Sequence, residues 1–320
     1  MIDKQIIPSE IVLEDVACPI GCLPDDTHVL FGRDRLHELP GLFRVVRCRT
    51  CGLMRTNPRP TRETIGYYYP DDYAPYLSTL VMQGTAVERP QWKKILQRAF
   101  VFHTDSLPPL VPGRMLEVGC ASGRYLHQMA QMGWDVEGVE PSLQAATRAA
   151  ELGYRVTNGS IEAMPEPAAP YDLVVGWMVL EHLHEPVIVL RKLAQWVRPG
   201  GWLAISVPNA AAWEFQLFKD AWFALQLPTH TFHYTPFTLE LILARGGWRM
   251  DRLLHQRVSA NLFMSLNYLL RDRHMITVAR LFEQLAFHDY ALYFTYPISL
   301  ILAFLGQTGR MTVLAQRIDS

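Results

Sequence analysis

The stretch 116–123, LEVGCASG, followed by VEGVEPS at 136–142, constrains this chain more than any other feature. LEV reads as the apolar end of a strand. It runs into a turn containing Gly119 and Gly123, and the YLHQMAQMG behind it has helical spacing. The second segment is another strand, ending on Glu140 and Pro141, about 20 residues past the first glycine. A unit of this kind brings backbone close to a ligand at the turn. It presents a carboxylate to ribose hydroxyls at the next strand tip. The unit predicts a site for an adenosine-type cofactor.

Strand and helix signals alternate from residue 115 onward: MLEVG, DVEGVE, YRVTNG, YDLVVGWMV, WLAISVPN and WRMDRLLHQR as strands, with helical segments between them. The third helical segment is VIVLRKLAQWVRPGG. This alternation implies an α/β fold, a Rossmann-like doubly wound parallel sheet. Residues 261–305 break the pattern as a helical insertion, and MTVLAQRI then supplies a last strand that could pair antiparallel with WRMDRLLHQR. The domain organisation expected is a compact module over 1–60, a connector over 61–111 with a helical stretch around 92–102, and the α/β domain over 112–320.

A dinucleotide fingerprint would need a second glycine where this turn has Ala121. The motifs LEVGCASG, VEGVEPS, YDLVVGWMVLEHLHEP, VRPGGWLAISVPN and LPTHTFHYTP, in that order, resemble the class I S-adenosylmethionine-dependent methyltransferases. The resemblance implies S-adenosylmethionine as cofactor. It implies that Glu117 meets the methionine amino end, that Gly119, Cys120, Ala121 and Gly123 line the methionine portion through their backbone, and that Glu140, beside Pro141, accepts the ribose hydroxyls. Ser160 and Ile161 would flank adenine, and Gly176 and Trp177 would close over the sulfonium.

Four of the five cysteines form two close pairs, Cys18/Cys22 and Cys48/Cys51. Such spacing suits a closed, structural tetrahedral Zn²⁺ site; two disulfides or four buried thiols are the alternatives. CPIGC, VVRCRTCGLMRTNPRP and the tyrosine-rich run at 67–76 resemble the N-terminal zinc segment of bacterial methyltransferases of sugar and polysaccharide pathways. That resemblance implies a nucleotide-linked or lipid-linked sugar as acceptor, with O-methylation preferred over C-methylation. Arg44, Arg47, Arg49, Arg55, Arg59 and Arg62 crowd the same module and could face phosphate, or form an ordinary solvated surface.

Removing a proton from an acceptor calls for a base, and the candidates are His230, His233 and His182. His230 is the first choice. Some members of the family hold a divalent ion through a carboxylate three residues before the Glu181 and His182 pair. Met178 stands there, so no catalytic metal is expected. The insertion, with LFMSLNYLL at 262–270 and ALYFTYPISLILAFL at 291–305, could be a packed cap, a homodimer contact or a peripheral membrane contact. Hydrophobic residues make up 49% of the chain and the formal net charge is −1, which argues for a globular protein and against nucleic acid as partner. No leader or spanning run is evident, so a cytoplasmic location is expected, either free or at the inner face of the membrane. An RNA methyltransferase and a non-catalytic scaffold are the rival readings.

Overall fold

The computed structural model describes residues 7–70 and 107–318. The helical stretch around 92–102 and the later half of the tyrosine-rich run lie outside the described residues. The N-terminal module contains β1 (Leu13–Glu14), β2 (Asp26–Gly32), β3 (Phe43–Cys48), β4 (Met54–Thr56) and β5 (Arg59–Pro60). The α/β domain follows. It runs β6 (Arg114–Val118), α1 (Arg124–Gln131), β7 (Asp135–Glu140), α2 (Leu143–Glu151), β8 (Arg155–Asn158), β9 (Tyr171–Trp177), α3 (Pro186–Trp196) and β10 (Val197–Pro208). Beyond it come α4 (Trp213–Phe218), β11 (Phe232–His233), α5 (Pro236–Arg245) and β12 (Trp248–His255). The insertion forms three helices, α6 (Ala260–Asp272), α7 (Ile276–Phe287) and α8 (Asp289–Phe304), before β13 (Arg310–Arg317).

The main sheet has the order β12-β13-β10-β9-β6-β7-β8. Strands β6 to β10 pair in parallel, and β13 is antiparallel to both β10 and β12, so the last two strands meet across the insertion as expected. The inner strands are buried along nearly their whole length, which is why they read as continuous apolar runs. The helix expected to run through VRPGG stops at Trp196, and β10 begins at Val197. Pro199 disfavours helical backbone at Arg198, and the strand absorbs the extra residues as an irregularity between Val197 and Trp202. Thr235 caps α5 in a reciprocal box with Thr238, and Pro236 takes its first position.

The module does not stand apart. Strand β11 pairs antiparallel with β4 and completes a sheet of order β11-β4-β3-β2. One side of this sheet shares a core with the main domain: Cys18, Cys48, Cys51, Leu53 and Phe232 pack with Leu239 and Val187. Phe43, Val45 and Met54 join a second core with Trp222, Phe215 and Phe263.

Two of the six arginines depart from both readings of the row. Arg55 and Arg59 are buried. Arg55 donates through Nη1 and Nη2 to Asp26 Oδ1 and Oδ2 at 3.0 and 2.6 Å, and to the Val16 carbonyl. Arg59 donates to Glu14 Oε1 at 2.8 Å and to the His184 carbonyl at 3.0 Å. Arg44 donates to the Asn57 carbonyl, Arg49 pairs with Asp25 and Arg62 with Glu162. These contacts tie the module together and to the main domain, while Arg47, Arg49 and Arg62 remain exposed. Removing one partner of a buried charged pair leaves the other uncompensated, so Arg55→Ala is expected to lower stability by about 3 kcal/mol. Urea unfolding of the two proteins checks this; an unchanged midpoint would show that the pair holds nothing.

Candidate active site

The turn after β6 is built for close approach. Gly119 and Gly123 have positive φ (70° and 84°), and Ala121 joins them at 45°. A Cβ on Gly119 would lie 2.7 Å from Val179 Cγ2. The Gly119 and Cys120 N–H groups both donate to the Val139 carbonyl, which locks the turn to β7. The Cys120 side chain is buried against Gly138, leaving its backbone for the turn's outer surface.

Two carboxylates back this turn. Glu140 accepts from the Ala121 N–H on Oε2 and the Ser142 N–H on Oε1, each at 2.9 Å. Burial raises its pKa while these N–H groups oppose the rise. Glu117 is buried, and its Oε2 has no hydrogen-bond partner among the described residues. Burial pushes it well above the usual carboxylate range, the Leu126 N–H opposes this, and the Glu140 charge adds to it. An orphaned buried oxygen costs about 1–3 kcal/mol unless something binds it. A cationic amino group at this position would fit. Ser160 caps a turn through the Ala163 N–H, and Ile161 beside it is buried. At the tip of β9, Gly176 precedes Trp177, whose Nε1 is likewise buried without a partner.

Beyond β9 the chain bends at Met178, whose φ is 56°, into a 3-10 turn carrying Glu181 and His182. The turn does not cap α3, whose N-cap is Glu185. Glu181, His182 and His230 converge, with one ligand-type atom from each within 4.8 Å of the others. His182 Nδ1 lies 3.0 Å from the Thr229 carbonyl, and His230 Nδ1 donates to the Ala224 carbonyl at 2.9 Å. Carbonyls only accept, so His230 is the Nδ1–H tautomer and its Nε2 lone pair is left for another partner, whereas His182 Nδ1 also faces the Tyr69 hydroxyl, which can donate to it. Burial lowers His182 to about 4 and His230 well below its usual range, so both rings are neutral. Burial also pushes Glu181 up to about 8, and neither of its oxygens has a partner among the described residues. The expectation of no catalytic metal rested on Met178 alone. His230 supplies a third donor from a distant segment, so that inference does not follow.

His233 stands outside this trio. Its Nε2 lies 3.4 Å from Thr56 Oγ1, on the strand shared with the module. Sequence reasoning missed four further polar groups, of which Tyr69 touches the trio. Tyr69 places its hydroxyl 2.8 Å from His182 Nδ1. Glu214 is buried and pushed up to about 7 by that burial. Asn261, on α6, is buried with both side-chain polar atoms unpartnered among the described residues. The charge of Arg310 acts on Glu181, Glu214 and His230. Only the tyrosine-rich run could have hinted at the first; the other three come from segments that folding alone brings together.

At the far end of the module, the Sγ atoms of Cys18, Cys22, Cys48 and Cys51 all lie within 4.8 Å of one another, and Cys18 and Cys51 are 3.5 Å apart. All are free thiols, which rules out the disulfide alternative. Ligands about 2.3 Å from a tetrahedral Zn²⁺ sit roughly 3.8 Å from one another, so the quartet fits that ion.

Comparison with known proteins decides the family. A family described as "Methyltransferase domain" matches residues 87–253. The chain belongs to that family. It is an S-adenosylmethionine-dependent methyltransferase. A ubiquinone biosynthesis O-methyltransferase from Azorhizobium caulinodans is 31% identical over 173 residues, covering 50% of this chain and 68% of that one. Its namesake from Paracidovorax citrulli is 34% identical over 192 residues, covering 53% and 80%. A crystal structure of an S-adenosylmethionine-dependent methyltransferase from Mesorhizobium loti aligns with a TM-score of 0.44 at 17% identity, over 66% of this chain and 94% of that one. These relatives are named for ubiquinone biosynthesis rather than for the sugar pathways that the N-terminal segment resembles.

The buried histidines make the methyltransferase acid-sensitive. Burial depresses His233 to about 3, against about 6.5 in an unfolded chain. The unfolded state therefore binds the extra proton first, and stability falls as pH drops from 6.5 towards 3. His233→Gln is expected to flatten this part of a plot of urea midpoint against pH. An unaltered slope would show that His233 is not buried neutral.

Proposed function

We propose that this methyltransferase methylates a hydroxyl oxygen of a small, polyhydroxylated ring, and that His230 or His182 takes the proton. The observation that carries this reading is the neutral His230 imidazole with its Nε2 lone pair open, set beside Glu181 and His182 just past the tip of β9. When bound, S-adenosylmethionine supplies a methyl group on a sulfonium, open to in-line displacement. In this reading Glu117 receives the methionine amino group on its orphaned oxygen. The turn through Gly119, Cys120, Ala121 and Gly123 lies against the methionine chain. Glu140 keeps its two N–H bonds and uses its remaining lone pairs for the ribose, Ser160 and Ile161 border adenine, and Gly176 and Trp177 face the sulfonium. Gly119, with no room for a side chain, lets the reacting groups approach closely, and such alignment supplies several kcal/mol of the barrier.

The name of the two relatives supports oxygen as the acceptor atom. Glu181 and Asn261 offer unpartnered polar atoms, and Glu214 is buried beside Asn261; an acceptor with several hydroxyls could satisfy such groups. A phenolic ring is the first reading. A sugar is the second, favoured by the cysteine quartet and its resemblance to sugar-pathway enzymes; the internal pairing of Arg55 and Arg59 removes the phosphate contacts it would have used. His230→Gln is expected to lower kcat by about 100-fold or more with S-adenosylmethionine affinity unchanged. Calorimetry and turnover on panels of phenols and nucleotide sugars check this, and full retained turnover would move the base to His182 or Glu181.

The same reading assigns a structural Zn²⁺ to the cysteine quartet. Metal binding then contributes folding free energy to a module that has little core of its own. Cys48→Ser is expected to release one equivalent of zinc, measured by elemental analysis, and to lower the thermal midpoint. Unchanged zinc content would refute the assignment.

A further inference from the structure

Helix α8 wears its amphipathicity inside out. Phe294, Ile298, Ile301 and Leu305 recur at helical spacing on one side and are 87%, 58%, 60% and 60% exposed, with Phe304 beside them at 90%. The opposite side carries the polar residues. Thr295 Oγ1 lies 2.7 Å from Ser259 Oγ, Tyr296 OH accepts from Arg257 Nη1 at 3.0 Å, and Ser299 is buried. A surface helix that packs on its own core does the reverse. The sequence of this helix holds no charged residue after Asp289, so nothing on the apolar stripe favours water.

The charges around the helix point to one occupant. Among the described side chains of the insertion, Asp272 is held by Arg33 and Arg35, and Glu283 by Arg271. Arg273 and Arg280 are exposed and have no ion-pair partner among the described residues. Among the described side chains of the insertion, the unpaired charge is therefore positive. We propose that α8 lies in the plane of an anionic lipid surface, with its apolar stripe below the headgroups and Arg273 and Arg280 attracted to their phosphates. No helix here is long and apolar enough to cross a membrane. At about 1.5 Å per residue, α8 has the length for an in-plane anchor. This inference concerns the insertion and stands whether or not the acceptor reading does.

The test uses the full chain and vesicle flotation. Vesicles of phosphatidylcholine with about 30 mol % phosphatidylglycerol are compared with phosphatidylcholine alone. The wild-type protein is expected to float with the anionic vesicles, more weakly with the neutral ones, and less at high salt. The surface variant Ile298→Glu/Ile301→Glu is expected to lose at least about tenfold in partitioning while keeping its thermal midpoint and S-adenosylmethionine affinity. Arg273→Glu/Arg280→Glu should lose the preference for anionic vesicles but not the residual binding to neutral ones. Wild-type protein that stays in solution with both vesicles would overturn the proposal, as would flotation unchanged by either variant. A dimer in sedimentation that Ile298→Glu/Ile301→Glu splits, without vesicle binding, would overturn it in favour of a second copy.

Discussion

A buried backbone joint between three distant segments sets the geometry of the rest. The Thr56 N–H donates to the Thr231 carbonyl at 3.0 Å, and the Thr231 N–H donates to the Glu181 carbonyl at 2.8 Å. Thr56 Oγ1 donates to the His230 carbonyl at 2.9 Å, and Thr231 Oγ1 donates to the Glu181 and Leu183 carbonyls. Each bond contributes only about 1 kcal/mol net. Their larger consequence is positional. The N-terminal sheet, the turn after β9 and the segment before α5 cannot shift independently, so Glu181, His182 and His230 are held as a set.

The joint also accounts for charges that would otherwise be costly to bury. Arg59 reaches from the module to the His184 carbonyl, just past the Glu181 turn, and Arg55 closes the module's own loop through Asp26 and Val16. Hydrophobic residues of the same volume could stabilise these positions as well. They could not fix two strands to named carbonyls and carboxylates. Positioning the module, rather than adding net stability, is the role these arginines fit.

The parallel core was legible because its strands are buried on both faces, so YDLVVGW and LAISV read as unbroken apolar runs bounded by glycine or proline turns. The nucleoside turn was legible because Gly119 and Gly123 do a steric job that few residues can do. The module strands were not legible. DTHVLFG and FRVVRC alternate only loosely, and their partner Phe232–His233 is two residues long and lies far along the chain. Nor could composition tell that Arg55 is internal while Arg49 is exposed, because that depends on whether Asp26 or water completes the guanidinium. Glu214, Asn261 and Arg310 stayed hidden for the same reason: a lone polar residue carries no period, and only the folded chain shows what it faces.

The two regions that break the usual patterning break it in opposite directions, and each departure has a physical reading. Near the tips of the parallel strands, Glu117 and Glu181 are buried with oxygens that no described group satisfies. On α8, Phe294 and Phe304 stand in water while Ser299 is buried. Either arrangement costs free energy in the isolated chain. Burial without a partner penalises the carboxylates, and exposure penalises the aromatic rings. A sequence that keeps both is consistent with a protein whose missing partners arrive from outside, a polar ligand in one place and an apolar phase in the other. In each case the surrounding structure is well paired: Glu140 accepts a backbone N–H on each oxygen beside Glu117, and Thr295 and Tyr296 are bonded beneath the apolar stripe. The unpaired groups are therefore held in place rather than left loose, which is what separates a binding site from a packing defect.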